Sequence, residues 1–208
     1  MVQSTSISVT DALTPVSNRI SQPGASVAGI RMNRRLIALT GFMGCGKSTV
    51  ARLLARQIGW IHADLDKRIV ARAGLTIPAI FTQMGEPAFR QIEREELERV
   101  LGEATATGKP TIVSLGGGTM AQTTNMELLK QAGCATIWLE CPVEDLMQRC
   151  SHITDRPLFK DEASFRRLYE ERLPFYQMAQ HRVASSIEPL RVVQSIIALG
   201  ILEGVPPR

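Results

Sequence analysis

Residues 41–48 have the composition and spacing of a loop that binds the phosphates of a nucleotide. They read Gly-x-x-x-x-Gly-Lys-Ser, follow the apolar run at residues 36–39 and precede a helical pattern. The glycines allow successive backbone N–H groups to curl around a polyphosphate, and the helix behind them adds the positive end of its dipole. In this pattern Lys47 reaches the β- and γ-phosphates, and the Ser48 hydroxyl binds Mg²⁺. The sequence therefore predicts a nucleotide site.

A pair of aspartates, Asp64 and Asp66, follows the second predicted strand at residues 60–63. Side chains two residues apart in an extended chain point to the same side, so both carboxylates are predicted to face the crevice. One would hold the water shell of Mg²⁺, and the other would accept a hydrogen bond from a substrate hydroxyl, as phosphoryl transfer to an alcohol requires. The structural alternative is that these acids cap and stabilise the helix that follows.

Three consecutive glycines, at residues 116–118, follow the third predicted strand. Ligands of open parallel sheets bind beyond the carboxyl ends of the strands, so this backbone is placed to approach a ligand closely and to offer N–H donors. A flexible turn is the simpler alternative for the same residues.

Three arginines are candidates for binding anions. Arg90 and Glu93 share a helix face at i, i+3, and Arg172 and Tyr176 share another at i, i+4. Taken alone, such pairs are most often surface ion pairs or packing contacts. Arg156 precedes a proline and is therefore predicted to lie in a loop, from which it could close over the γ-phosphate.

From residue 36 onward, short β-like runs alternate with helical patterns. This alternation predicts an α/β fold, in which right-handed crossovers build a parallel sheet covered by helices on both faces. The chain of 208 residues fits a single domain, which we place at residues 34–208. The predicted strands are residues 36–40, 60–63, 111–115, 135–139 and 182–185. The predicted helices are residues 47–57, 65–73, 77–84, 87–105, 125–131, 143–150, 163–179 and 189–202.

Charge and cysteine content limit the classes of partner. The formal net charge is +4, but most of it comes from four arginines opposed by one aspartate in the first 35 residues, and the rest of the chain mixes both signs. We therefore predict no nucleic-acid partner. The four cysteines lack metal-binding or disulfide spacing, which predicts a reducing, cytoplasmic location. Apolar runs are shorter than the roughly 18 residues of a membrane span, so we expect no membrane association, and we expect a monomer.

Residues 1–33 are rich in Ser, Thr, Val and Gly and lack a sustained period of 2 or 3.6, which predicts a disordered extension. Their arginines and scarcity of acids faintly resemble a transit peptide, but an amphipathic arginine face is missing. We interpret the segment as a mobile tail or as sequence upstream of a natural start at Met32.

Together and in this order, the motifs resemble those of the shikimate kinases, P-loop small-molecule kinases related to the nucleoside monophosphate kinases. The resemblance covers residues 36 to about 202. It implies a three-layer P-loop kinase fold with a five-stranded parallel sheet of order 2-3-1-4-5, a substrate-binding region at about residues 64–95 and a lid at about residues 151–163. The implied activity is transfer of the ATP γ-phosphate to the 3-hydroxyl of shikimate, with Mg²⁺, in the pathway to aromatic amino acids. The motifs that carry it are the phosphate loop, Asp64-x-Asp66, Gly85-Glu86 followed by Phe89-Arg90-x-x-Glu93, the triple glycine, Arg156-Pro157-Leu158 and Arg172-x-x-x-Tyr176.

The resemblance also implies roles for individual residues. Asp66 would bind the substrate hydroxyls and act as the base, while Asp64 would act on Mg²⁺ through water beside Ser48. Arg90 and Arg172 would hold the shikimate carboxylate. The residues implied for ATP are Gly44, Cys45, Gly46, Lys47, Ser48, Thr49, Arg149, Arg156 and Pro189; those for the substrate are Asp66, Arg90, Gly116, Gly117, Gly118 and Arg172; and those for catalysis are Asp66, Lys47 and Arg156.

Three other functions share part of this pattern. A kinase for gluconate or for nucleoside monophosphates would have the phosphate loop and lid, but would not need the triple glycine with paired arginines. A regulatory nucleotide switch would carry a guanine-reading Asn-Lys-x-Asp motif, which the sequence lacks. A noncatalytic descendant used as a binding partner is expected to have lost Lys47, Asp66 or Arg156, and all three are present.

Overall fold

The computed structural model describes residues 33–151 and 161–204. Its strands are β1 (Asn33–Thr40), β2 (Ile61–Asp64), β3 (Thr111–Ser114), β4 (Cys134–Glu140) and β5 (His181–Ala184). Neighbouring strands pair in parallel, and their order across the sheet is β2-β3-β1-β4-β5. The predicted order 2-3-1-4-5 is therefore confirmed. Residues 1–32 of the predicted extension and residues 152–160 of the predicted lid, including Arg156, lie outside the described residues.

Helices connect the strands and cover the sheet. They are α1 (Lys47–Ile58), α2 (Leu65–Ala73), α3 (Ile77–Thr107), α4 (Thr123–Gln131), α5 (Val143–Cys150), α6 (Glu162–Gln177) and α7 (Pro189–Ala198), with a short 3₁₀ turn at Thr119–Ala121. In the described part of the chain, no helix combines the length and the apolar composition that crossing a bilayer requires.

The sheet separates two apolar cores, because successive side chains of a strand point to opposite faces. In β1, Ile37 and Leu39 belong to the core that α1 and α7 cover, and Leu36 and Ala38 belong to the core that α2, α3 and α4 cover. Both faces of β1 are thus buried, which explains why this strand reads as a continuous apolar run. The predicted arrangement of helices on both faces is confirmed.

The structure differs from the predicted elements mainly at helix ends. The helices predicted at residues 77–84 and 87–105 form the single segment α3, broken at Gly85, whose φ of 83° suits glycine. Pro87 lies two residues after Gly85, in the first turn of the second helical part, where a missing N–H costs little. Helix α7 ends at Ala198 rather than at residue 202, and the turn at Thr119–Ala121 was not predicted.

Candidate active site

The phosphate loop joins the carboxyl end of β1 to the amino end of α1, as predicted. Gly44 and Gly46 have φ values of 81° and 95°, which residues with side chains rarely adopt. A Cβ at Gly44 would also lie 2.7 Å from Cys150 Sγ, so space as well as conformation requires glycine there. Gly46 is the N-cap of α1 and has no side chain with which to cap it. The first N–H groups of α1 are therefore available to an anion.

Lys47 is held over the phosphate loop by the carbonyls of that loop. Its Nζ donates to Gly41 O at 2.8 Å and to Phe42 O at 2.9 Å. Ser48 and Thr49, in the first turn of α1, are exposed to solvent. Cys45 is 1% exposed, so it offers a ligand chiefly its backbone. The structure thus brings together the residues predicted to bind nucleotide at positions 44–49.

The two aspartates lie at the junction of β2 and α2, but not in the geometry that the sequence suggested. Asp64 ends β2 and caps α2 by accepting the Lys67 N–H at 3.2 Å, while Asp66 lies in the first helical turn. The prediction that both project from an extended chain is therefore wrong, because the helix begins at Leu65. A Cβ at Gly116 would lie 2.9 Å from Asp66 Oδ1, so Asp66 faces the triple glycine. The capping alternative therefore holds for Asp64.

The acid partner of Arg90 is buried rather than on the surface. Glu93 is 0% exposed; Arg90 Nη1 donates to its Oε2 at 2.8 Å, and Thr119 Oγ1 donates to its Oε1 at 2.7 Å. Burial raises the pKa of Glu93, and the Arg90 charge opposes that shift. Burial also disfavours the Arg90 cation, but Glu93 and the exposed Glu86 outweigh it and raise the Arg90 pKa. Arg90 therefore keeps its positive charge at the edge of the buried interior.

Arg90 and Arg172 converge on the triple glycine from different helices, α3 and α6. A Cβ at Gly118 would lie 2.9 Å from Arg90 Nη2 and 3.3 Å from Arg172 Nη2. Two guanidinium groups that meet in this way can bind a carboxylate through paired, charge-assisted hydrogen bonds. A Cβ at Gly116 would lie 2.9 Å from Asp66 Oδ1 and 3.1 Å from Glu93 Oε1, so two guanidinium groups and two carboxyl groups border this loop. We call these groups, namely Asp66, Arg90, Gly116, Gly117, Gly118 and Arg172, the acceptor cluster.

Tyr176 holds the backbone of the triple glycine in place through a hydrogen bond. Its hydroxyl donates to Gly117 O at 2.5 Å, and the residue is 1% exposed. Burial raises the pKa of this phenol well above its ordinary value, so the hydroxyl remains a donor at physiological pH. Tyr176 and Arg172, which share a face of α6, therefore both contact the triple glycine. Tyr176 holds its backbone through a hydrogen bond, and the Arg172 guanidinium lies beside Gly117 and Gly118.

The remaining nucleotide candidates lie beyond β4 and β5. Arg149 Nη1 donates to Ser185 O at 3.1 Å and approaches Gly44 O at 3.5 Å, which places it against the phosphate loop. Pro189 is the exposed first residue of α7, four positions after Ser185. The structure brings Arg149 to the nucleotide half of the site, and Arg156 lies outside the described residues.

The donors available to a metal suit magnesium better than a metal with a full set of protein ligands. Among the described residues, no group of three or more His, Cys, Asp and Glu converges to hold a metal ion. Ser48 offers an exposed hydroxyl, and Asp64 offers a carboxylate that makes one hydrogen bond as a helix cap. Mg²⁺ keeps several waters and takes few protein ligands together with phosphate oxygens, so this pair fits it.

Two residues of the site were missed in the sequence. Thr119 is buried and donates to Glu93, 26 positions away, and the ring of Phe42 lies under Arg172. Periodicity offered one signal, since Glu93 stands four positions from both Phe89 and Leu97, which are buried. A carboxylate on the buried stripe of a helix needs a partner inside the protein.

Comparison with known proteins gives one consistent family. The shikimate kinase family model matches residues 43–199. The shikimate kinase of Persephonella marina is 38% identical over 165 residues, which are 78% of this chain and 97% of that protein. The solved shikimate kinase of Acinetobacter baumannii, in complex with shikimate, is 32% identical with a TM-score of 0.72, over 81% of this chain and 94% of that one. A gluconokinase from Sinorhizobium meliloti 1021 shares only the fold, at 20% identity and a TM-score of 0.51 over 84% of this chain and 93% of that one.

Proposed function

The chain belongs to the shikimate kinase family, and from this premise we propose how its residues transfer the γ-phosphate of ATP to the 3-hydroxyl of shikimate. The observation that carries the proposal is the meeting of Arg90 and Arg172 at Gly118, with Asp66 beside Gly116. Shikimate is a ring acid with neighbouring hydroxyls, so it needs cations for its carboxylate and an acceptor for a hydroxyl proton. The acceptor cluster offers both.

The carboxylate would bind between Arg90 and Arg172. Arg90 at present donates through Nη2 to Glu86 at 2.9 Å, and the Glu86 side chain is 60% exposed. An exposed ion pair of this kind contributes little, so a substrate carboxylate can replace Glu86 at low cost. The bond to buried Glu93 would persist and hold the guanidinium plane in place. Arginine suits this role because its fork donates two parallel hydrogen bonds, which lysine does not.

Asp66 would accept the hydrogen bond of the 3-hydroxyl and take its proton as the oxygen attacks. Its position in the first turn of α2 keeps the carboxylate near the positive end of that helix, which favours the anion. Lys47 would exchange the carbonyls of Gly41 and Phe42 for phosphate oxygens and neutralise charge on the transferred group. The acid and the cation would thus act on opposite sides of the moving phosphoryl group.

Mg²⁺, when bound beside Ser48 and through water to Asp64, would neutralise phosphate charge and orient the polyphosphate. Arg156 is assigned to the same phosphate from its motif alone. Arg149 would lie along the nucleotide base, opposite Pro189. The proposal extends to a monomeric, cytoplasmic enzyme without a nucleic-acid partner; the buried free thiols of Cys45, Cys134 and Cys141 are consistent with a reducing compartment.

The test is a coupled assay of ADP release with Mg-ATP and, in parallel, shikimate, gluconate and nucleoside monophosphates. Turnover with shikimate is expected, with little or none for the other acceptors, because they do not present a ring carboxylate to Arg90 and Arg172. Turnover with another acceptor and none with shikimate would overturn the assignment. The same assay on Arg172→Lys, compared with Arg167→Lys on the same helix, tests whether the two-pronged donor matters.

A further inference from the structure

Phe42, in the phosphate loop, packs against α6 with its whole ring buried. The residue is 1% exposed. Its ring meets Phe165 edge-to-face, with centroids 5.0 Å apart at 86°, and Tyr169 in the same way, at 5.4 Å and 82°. Such T-shaped contacts favour a fixed ring orientation because the positive edge of one ring meets the negative face of another. The phosphate loop is therefore anchored to α6 through one aromatic side chain.

The same stripe of α6 continues to Arg172, three residues beyond Tyr169. The Arg172 Cζ atom lies over the Phe42 ring, 6.0 Å from its centroid. This is the range in which a guanidinium is attracted to an aromatic face. The other side of Arg172 approaches Gly118, where Arg90 also lies. The ring thus supports the arginine of the acceptor cluster from beneath.

The backbone of Phe42 belongs to the nucleotide half of the site. Its carbonyl accepts from Lys47 Nζ at 2.9 Å and from the Cys45 N–H at 3.3 Å. If Lys47 turns toward a phosphate, this carbonyl loses its charged partner. A change at the phosphate loop therefore acts directly on the residue whose ring carries Arg172.

We infer that Phe42 is a positioning residue for Arg172 and that it couples the nucleotide half of the site to the acceptor half. The inference rests on the proposed function, since it takes Arg172 to bind the acceptor carboxylate. Nucleotide at the phosphate loop and carboxylate at Arg172 then bias the same ring. Because such coupling is reciprocal, each ligand changes the affinity of the protein for the other by the same factor.

Calorimetry of shikimate binding, with and without β,γ-methylene-ATP and Mg²⁺, measures this coupling. The coupling ratio is the dissociation constant of shikimate without nucleotide divided by the dissociation constant with nucleotide. For the unmodified protein the ratio is expected to exceed one. Phe42→Leu keeps an apolar side chain but removes the aromatic face. It should weaken shikimate binding about two- to fivefold without nucleotide, the range of an exposed or partly buried cation–π contact, and should bring the ratio close to one.

Phe165→Leu is the matched control, because it loosens the same aromatic cluster but leaves the Phe42 ring beneath Arg172. It should retain the coupling ratio. In an Arg172→Gln background, which has no cation at position 172, Phe42→Leu should have little further effect on shikimate affinity, as expected of a residue that acts through Arg172. An unchanged ratio in Phe42→Leu, an equal loss in Phe165→Leu, or a ratio of one in the unmodified protein would overturn the inference. Failure of the unmodified protein to bind shikimate at all would instead refute the proposed function.

Discussion

Replacing Arg90 with alanine is expected to have two separable effects, because this side chain faces both the acceptor space and a buried acid. Its guanidinium lies against Gly118 on one side. On the other it neutralises Glu93, whose side chain is 1% exposed. Loss of the first contact should reduce use of shikimate, and loss of the second should reduce the free energy of unfolding.

The magnitudes follow from the two environments. A charge-assisted hydrogen bond is worth about 1.5–3 kcal/mol, so kcat/KM for shikimate should fall about 10- to 150-fold, with the KM for ATP nearly unchanged. Removing one member of a buried ion pair costs about 3–5 kcal/mol. Because Thr119 still donates to Glu93, we expect the free energy of unfolding to fall by about 2–3 kcal/mol, at or below the lower end of that range. For a chain of this size that loss lowers Tm by about 5–10 °C.

The double variant Arg90→Ala/Glu93→Gln separates these effects. A neutral amide at position 93 no longer needs a cation, so thermal unfolding should recover most of the lost Tm, while kcat/KM for shikimate stays low. Arg94→Ala, an exposed position one turn along α3, is the control for removing a helix arginine. Recovery of kcat/KM together with Tm would show that Arg90 serves only to neutralise Glu93, and would refute its role in binding.

The stability deficit of Arg90→Ala should also depend on pH. Burial raises the pKa of Glu93 above its value in the unfolded chain, and Arg90 opposes that rise, so the variant should raise this pKa further. A raised carboxyl pKa contributes stability that is complete below the unfolded pKa and is lost as pH rises through the folded pKa. The difference in Tm between Arg90→Ala and the unmodified protein should therefore be smaller at pH 5 than at pH 8. A constant difference would contradict the assignment of the deficit to Glu93.

Three shorter predictions test other parts of the structure. Gly118→Ala puts a Cβ 2.9 Å from Arg90 Nη2, so the guanidinium must move and the KM for shikimate should rise several-fold. The control is Gly102→Ala, which lies in open space within α3. It should leave the KM for shikimate unchanged and stabilise the protein by about 0.5–1 kcal/mol. Lys47→Met should lower kcat by roughly 100-fold or more while calorimetry still detects shikimate binding. Burial lowers the pKa of His62, so its neutral form contributes stability above pH 6.5 that is lost as the pH falls. Between pH 8 and 5.5, Tm should therefore drop less in His62→Gln than in the unmodified protein. Equal drops in the two proteins would contradict this role of His62.

The parallel sheet covered by helices and the phosphate loop could be predicted from the residues themselves because their signals are local or repetitive, whereas the strand order came from the family resemblance. Each central strand is buried on both faces, so its apolar run is visible without knowing its neighbours. The loop at residues 41–48 needs only its own glycines and the elements on either side. Helix ends were less predictable. Helix α7 stops at Ala198, yet Leu202 beyond it is buried, and an apolar residue after a helix reads as one more turn.

The acceptor cluster was predicted from the family resemblance rather than from spacing, and the reason is physical. Glu93 and Thr119 are 26 residues apart, and Tyr176 is 59 residues from Gly117. No pattern within one element indicates that such residues meet. The argument from alternation at Asp64 and Asp66 also failed, since it assumed that the strand continued where α2 begins.

A second buried acid on α3 shows why an arginine–glutamate spacing does not identify function. Glu96 is 2% exposed, and it pairs with Arg68 and Arg72 of α2, at 3.1 and 3.2 Å, and with Arg99 at 3.2 Å. Arg68 also donates through Nη1 and Nη2 to Glu103, so this network links α2 to α3. Arg90, like Arg68, pairs with one buried and one exposed acid, but its guanidinium also lies against the glycine loop at Gly118. What an arginine faces beyond its buried partner therefore decides whether the pair is structural or binds a ligand.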